Sequence, residues 1–232
     1  MPRTLFICYN IIIIHLILRR CSSLGIFSNV FSSKYKSIYR SIEEGNVNEI
    51  KDYLKEDNDL DSDFEIQSIL HYAIDNCGNN YFETIELLIN SGADINSRQS
   101  KLMETPLHKL CARAAPHIDL ITMILKRGAE VNAINSLGKT PIFYCSFNYS
   151  VELLNLLVKY GADINARDKY ENTLLHDDYI NCFEEHFEEF LKALLNFGFD
   201  INLKNASGLT PMALCKNKRI ENILSKYGGI KF

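Results

Sequence analysis

One short pattern returns four times along this chain of 232 residues: Gly92-Ala-Asp-Ile-Asn96, Gly128-Ala-Glu-Val-Asn132, Gly161-Ala-Asp-Ile-Asn165 and Gly198-Phe-Asp-Ile-Asn202. The steps between them are 36, 33 and 37 residues. A second pattern keeps the same step: Ser68-Ile-Leu-His71, Thr105-Pro-Leu-His108, Thr140-Pro-Ile-Phe143, Thr173-Leu-Leu-His176 and Thr210-Pro-Met-Ala213. Two motifs held in register over several periods define a repeat array. Each unit of such an array buries its apolar face only by stacking on its neighbours.

The unit has a physical logic. Thr followed by Pro reads as a helix N-cap with Pro in the first turn, where its missing N–H is no loss. A short helix is expected there, then a second one with apolar residues at i, i+3 and i+4: Ile85, Leu88, Ile89; Ile121, Ile124, Leu125; Leu153, Leu156, Leu157; Leu191, Leu194, Leu195. Gly92, Gly128, Gly161 and Gly198 stand where a helix end takes the left-handed conformation. The Asp-Ile-Asn that follows turns the chain outward.

On these motifs, the segment from about residue 38 to the end resembles the ankyrin repeats, whose signature is T-P-L-H-x-A at about 33 residues; Thr105-Pro-Leu-His108 is its best match. The resemblance implies an all-α solenoid of helix-turn-helix units with short turn tips. It divides the chain into a segment 1–36, an N-terminal capping repeat 37–64, full repeats 65–98, 99–134, 135–167 and 168–204, and a truncated C-terminal repeat 205–232. It also implies that His71, His108 and His176 are structural, each bonding across to the neighbouring turn. Two units depart from the pattern. The repeat 65–98 has Ile69 in place of Pro and an expected loop extension at Asn76–Tyr81. The repeat 168–204 has Asp177-Asp178 where small apolar residues are usual, and an insertion around Cys182–His186.

Charge and cysteine usage narrow the function. Residues 1–40 carry Arg3, Arg19, Arg20, Lys34, Lys36 and Arg40 and no acid, whereas residues 41–232 hold 19 basic against 29 acidic residues. An acidic body is a poor match for a phosphate backbone, so no nucleic-acid partner is expected. The seven cysteines form no close pair, and five of them, Cys77 to Cys215, recur at steps of 34, 34, 37 and 33 residues. Dealt one per repeat, they read as small buried apolar residues of a reducing compartment. Leu5 to Leu18 is an apolar run of 14 residues, short of the about 20 a membrane span needs. It reads as a secretory signal, an anchor, or a segment that packs on the first repeat or stays irregular.

No catalytic or cofactor motif stands out, so the chain is expected not to be an enzyme and to need no cofactor. Histidines one repeat apart lie about 10 Å from each other. That is too far to share a zinc ion with bonds of about 2 Å. His186 lacks a second histidine four residues on, so it is no zinc-protease helix. Asn148-Tyr-Ser150 and Asn205-Ala-Ser207 match the glycosylation pattern but fall inside repeats.

Binding is the function left, at the turn tips that precede each capping residue. The candidate partner-binding residues are Lys101, Leu102 and Glu104; Ser136, Leu137 and Lys139; and Lys169, Tyr170 and Asn172. Leu102, Leu137 and Tyr170 fall in line, one per repeat. Such a row either forms an apolar stripe for a protein partner or partly packs between adjacent turns. Heavy use of Ile (27) and Asn (22) with no Trp, together with irregular repeats, resembles the ankyrin proteins of poxviruses, those of avian poxviruses above all. That resemblance implies a monomeric adaptor binding host proteins in the host cytoplasm. Only 21 residues follow Pro211, too few for the F-box-like segment that many of those proteins carry, so ligase recruitment is not expected. The competing expectation is a membrane-tethered or secreted scaffold directed by residues 5–18.

Overall fold

A Ser or Thr hydroxyl opens several of the units. The Ser68 side chain accepts from the His71 N–H, and Thr210 does the same for Ala213 at 3.2 Å, satisfying donors that a helix leaves free in its first turn. The computed structural model describes residues 33–55, 68–98, 102–147, 149–177 and 186–231. The apolar run at 5–18, Cys8, Cys21, Lys101, Asn148, Asp178 and Cys182 lie outside the described residues.

The expected all-α solenoid is what the chain forms, and no strand occurs among the described residues. Helix α1 (Ser33–Glu44) pairs with α2 (Val47–Leu54), α3 (Ile69–Asn76) with α4 (Tyr81–Asn90), and α5 (Pro106–Cys111) with α6 (Ile118–Lys126). A 3-10 segment at Pro141–Phe147 precedes α7 (Val151–Lys159), another at Leu174–His176 precedes α8 (Phe187–Asn196), and α9 (Pro211–Leu214) precedes α10 (Lys218–Lys226). The first helices stack in one layer, α1 on α3, α3 on α5, and so on to α9. The second helices form the other layer, with α2 on α4, α6 on α7 and α7 on α8. Between the layers runs one continuous core, from Ile38 and Ile42 through Ile85, Ile121 and Leu153 to Ile220 and Leu224.

Each outer helix buries most of its expected stripe, with Ile89, Leu156 and Leu195 half-buried, and closes at its glycine. The N–H of the residue after the glycine returns to the carbonyl five positions back (Ala93 to Leu88, Ala129 to Ile124, Ala162 to Leu157, Phe199 to Leu194) at 3.0–3.1 Å. This closure needs the left-handed backbone that Gly161 adopts at φ +87°. Within the stripe Leu157 is fully buried, while Leu156 is half-buried.

Local differences from the expectation have physical causes. The first helix α1 begins at Ser33, ahead of the boundary expected at 37. Asn76–Tyr81 is not an extended loop: α3 runs to Asn76 and α4 starts at Tyr81, so the additional residues are taken up as helix. Pro141–Phe147 winds as a 3-10 helix instead of an α-helix. Its run Ile-Phe-Tyr-Cys is poor in helix formers, and the Ser146 hydroxyl bonds the Phe143 carbonyl at 2.8 Å, competing with the helical ladder. The turn Leu174–His176 stops at Asp177, whose backbone is extended (φ −70°, ψ 143°).

Candidate functional site

The turn tips are built from one side chain each. Asn135 Oδ1 accepts the N–H groups of Leu137 and Lys139 at 2.9 and 3.0 Å. Asp168 does the same for Tyr170 and Asn172, and Asn205 for Ser207 and Leu209. Each tip thus folds around an acceptor that replaces a backbone carbonyl. Successive tips are then joined by their backbones: Ser136 N–H to Leu102 O at 2.8 Å, Lys169 N–H to Leu137 O at 3.0 Å, and Ala206 N–H to Tyr170 O at 3.0 Å. The approach is close enough that a Cβ on Gly138, itself at φ +76°, would stand 2.6 Å from the Lys169 nitrogen.

This backbone ladder leaves the side chains of Leu102, Leu137 and Tyr170 turned outward, with 45, 36 and 58% of their surfaces exposed. Ser136 and Lys169 are exposed beside them, and the Lys169 ammonium lies 5.0 Å from the Tyr170 ring centroid. Three other sequence candidates serve the frame. Glu104 is buried at 7% exposure, its carboxylate accepting the Tyr144 hydroxyl, which in turn accepts from Asn135 Nδ2 at 3.3 Å. Burial and the Glu104 charge push the Tyr144 phenol well above its ordinary value. Lys139 is half-buried and ion-paired with Asp177 of the next unit, which gives the unusual acid at that position a partner. Asn172 accepts from Asn205 Nδ2 at 2.9 Å. Lys101 lies outside the described residues.

Histidines and asparagines hold the tips in place. His71, His108 and His176 reach from one unit to the carbonyl just before the next cap: Glu104 O at 2.7 Å, Lys139 O at 3.0 Å and Leu209 O at 3.0 Å. The Nδ1 atoms of His108 and His176 accept the Thr105 and Thr173 N–H groups, at 3.2 and 3.0 Å, so the proton is on Nε2, which donates. Burial, the largest influence, lowers the pKa of all three imidazoles below the ordinary 6.5 and keeps them neutral. The rail skips one unit, where Phe143 stands in the histidine's place and the buried Thr140 hydroxyl has no partner.

The asparagine clamp is the feature that turn propensity alone did not reveal. Asn132 Nδ2 donates to the Gly161 carbonyl and its Oδ1 accepts from the Asp163 N–H, both at 2.9 Å. Asn96, Asn165 and Asn202 repeat both bonds to the following unit. Their recurrence at the repeat step was visible; their reach into the next unit was not.

The described cysteines are not placed as reactive thiolates. Cys111 and Cys145 are fully buried, and burial pushes both thiols far above their ordinary value, away from the reactive thiolate. Cys77 and Cys215 are half-buried, with thiols raised for the same reason. No cluster of three or more His, Cys, Asp or Glu side chains placed to hold a metal occurs among the described residues.

Comparison with known proteins agrees with the geometry. Residues 77–168 match the family model "Ankyrin repeats (3 copies)". The B-cell lymphoma 3 protein homolog of Mus musculus is 26% identical over 107 residues, which are 46% of this chain and 23% of that protein. The matched segment therefore spans under a quarter of that relative's length. Ankyrin repeats are therefore present over residues 77–168.

Proposed function

We propose that this chain is a non-enzymatic binding module whose turn tips recognise a protein partner. The observation that carries the reading is the coincidence of two rows on one edge: the backbone ladder that fixes the tips, and Leu102, Leu137 and Tyr170 held outward along it. Exposed apolar side chains arranged contiguously mark interaction sites, and binding energy concentrates in a few such anchors. Ser136 and Lys169 flank them as polar rim residues.

The partner is a host protein and the chain a monomeric adaptor of the host cytoplasm, of the kind found among poxvirus ankyrin proteins. The composition rich in Ile and Asn and lacking Trp supports that placement. A second reading, a tethered or secreted scaffold, is favoured by the apolar run Leu5–Leu18. Among the described residues no helix is long and apolar enough to cross a membrane. Fractionation of cells expressing a C-terminally tagged chain separates the two readings: loss of the first residues, or membrane association resisting carbonate, selects the second.

The recognition surface is tested by replacing Leu102, Leu137 and Tyr170 together with Ser. The variant is expected to lose partner capture, assayed by pull-down and mass spectrometry, while its stability changes by no more than about 1 kcal/mol. Leu157→Ala is the core control and should cost about 2–5 kcal/mol of stability. A triple variant as unstable as the control would place the three residues in the core and overturn the reading.

A further inference from the structure

The repeats from residue 65 onward meet at four joints, and three of these are bridged by an imidazole, from His71, His108 and His176. The joint between the repeats 135–167 and 168–204 has Phe143 in that place. Phe143 has no donor for the carbonyl of Asn172, the residue before Thr173. The Thr140 hydroxyl, whose counterpart Thr105 lies 2.8 Å from a histidine nitrogen, is buried without a partner. The inner segments that meet here, Pro141–Phe147 and Leu174–His176, are both wound as 3-10 helices, whose hydrogen-bond geometry is poorer than that of an α-helix.

Apolar side chains pack in both layers of the array; what sets this joint apart is the polar bond that crosses its inner edge. On the outer side Tyr149 packs on Phe187 and Phe190 at centroid distances of 5.4 and 5.5 Å, all three buried. The Asn165 clamp reaches Gly198 and Asp200 there, as in the other units. On the inner edge the Lys169 N–H reaches the Leu137 carbonyl, and the Lys139 ammonium pairs with the Asp177 carboxylate. Their side chains are only 21 and 14% exposed, so salt screens the pair little. The same ammonium lies 5.7 Å from the Phe143 ring centroid, which puts the pair beside the residue that replaces the histidine.

We infer that the inner edge of this joint opens more readily than that of the joint before it, and that Lys139 and Asp177 are its latch. While the pair is made, the tip 168–172 is held against the tip 135–139. When the pair parts, the edge opens about the aromatic cluster on the outer side. Local opening of this kind draws on the weakest-held part of a fold. Leu137 and Tyr170 stand on opposite sides of the joint. On the reading of the tips as the recognition surface, opening divides the apolar row between these two residues, and the latch decides whether the row is presented whole. The opening itself does not depend on that reading.

Residue-resolved amide hydrogen exchange on the full chain, followed by NMR, tests the latch. The Lys169 N–H crosses this joint, and the Ser136 N–H makes the same bond to Leu102 across the joint before it, which His108 bridges. After correction for intrinsic rates, Lys169 is expected to be less protected than Ser136 by about fivefold or more, the share of one absent hydrogen bond. Asp177→Asn should lower Lys169 protection by about a further tenfold and leave Ser136 unchanged. Lys139→Met breaks the pair from the other side and should do the same. Phe143→His, added to Asp177→Asn, supplies the missing imidazole and should return Lys169 at least to its wild-type protection. The inference is overturned if Lys169 is as protected as Ser136 in the wild type, if either single substitution leaves Lys169 unchanged, or if protection falls equally at both amides. A Phe143→His double variant that melts with its parent and keeps the lowered protection would overturn it as well. No partner enters this measurement, so its failure leaves the reading of the tips standing, and the triple Ser variant tests that reading separately.

Discussion

At Thr105 and Thr140 the same residue occupies the same place in two successive units with different neighbours. Thr105 Oγ1 lies 2.8 Å from His108 Nδ1, whereas Phe143 leaves the Thr140 hydroxyl buried with no partner. A buried hydroxyl without a hydrogen bond keeps its desolvation penalty, while a bonded one contributes net stability. Thr140→Val should therefore be neutral or stabilising by up to about 1 kcal/mol. Thr105→Val should cost about 1 kcal/mol, because it removes the hydroxyl's bond to the histidine that bridges to Lys139 while the residue-105 N–H still reaches Nδ1. Urea denaturation of both variants measures the difference. Equal losses would mean that the hydroxyl contributes in the same way with or without the imidazole. The identity of these residues was legible in the motif, and so was the interruption at Phe143. The partners of Glu104 and Lys139 were not, because Tyr144 and Asp177 lie about one repeat further along the chain and no local pattern links them.

Among the elements, the tips and the helix ends use glycine for different reasons, and substitution separates them. Gly161 ends α7 at φ +87° with nothing near its absent Cβ, so Gly161→Ala pays only for a left-handed alanine, about 1–2 kcal/mol. Gly138 has a similar φ, but a Cβ there collides with the Lys169 nitrogen, the donor of the inter-tip bond to Leu137. Gly138→Ala should cost about 2 kcal/mol more than Gly161→Ala and should also weaken partner capture, since it displaces Leu137 and Tyr170. Thermal melts and pull-downs on the two variants check both parts. Helix positions were legible because caps, apolar spacing and glycines agree in each unit. The 3-10 winding of Pro141–Phe147 was not, because the Thr-Pro start there matches that of α5, and the helix is altered by the side chains that follow.

For the whole molecule, stability in a stacked array is the sum of its units and the contacts between them, and three of those contacts run through a neutral imidazole. The unfolded chain titrates its histidines near the ordinary 6.5, whereas burial lowers the folded values of His71, His108 and His176. Below about pH 6.5 the unfolded state then binds more protons than the folded state. Stability from this source is complete above that pH and falls as acid is added. The ion-paired carboxylates of Glu188 and Glu221 act lower down. Glu188 is held at about 2 by its bonds to Lys226 and Tyr227, and Glu221 is lowered by Lys218 and Lys231, so their share is lost only below the ordinary 4.5. Denaturation midpoints measured from about pH 7.5 to 5.5 should therefore decline through the histidine range alone. His176→Gln keeps a neutral donor near Leu209 and removes one titrating ring. It should be less stable at neutral pH and should show a shallower decline. A wild-type midpoint that stays level down to pH 5.5 would mean that the imidazoles accept protons without leaving the fold, their Nε2–H bonds to the next unit being kept by the charged ring and the Nδ1 bonds to the cap N–H groups contributing little.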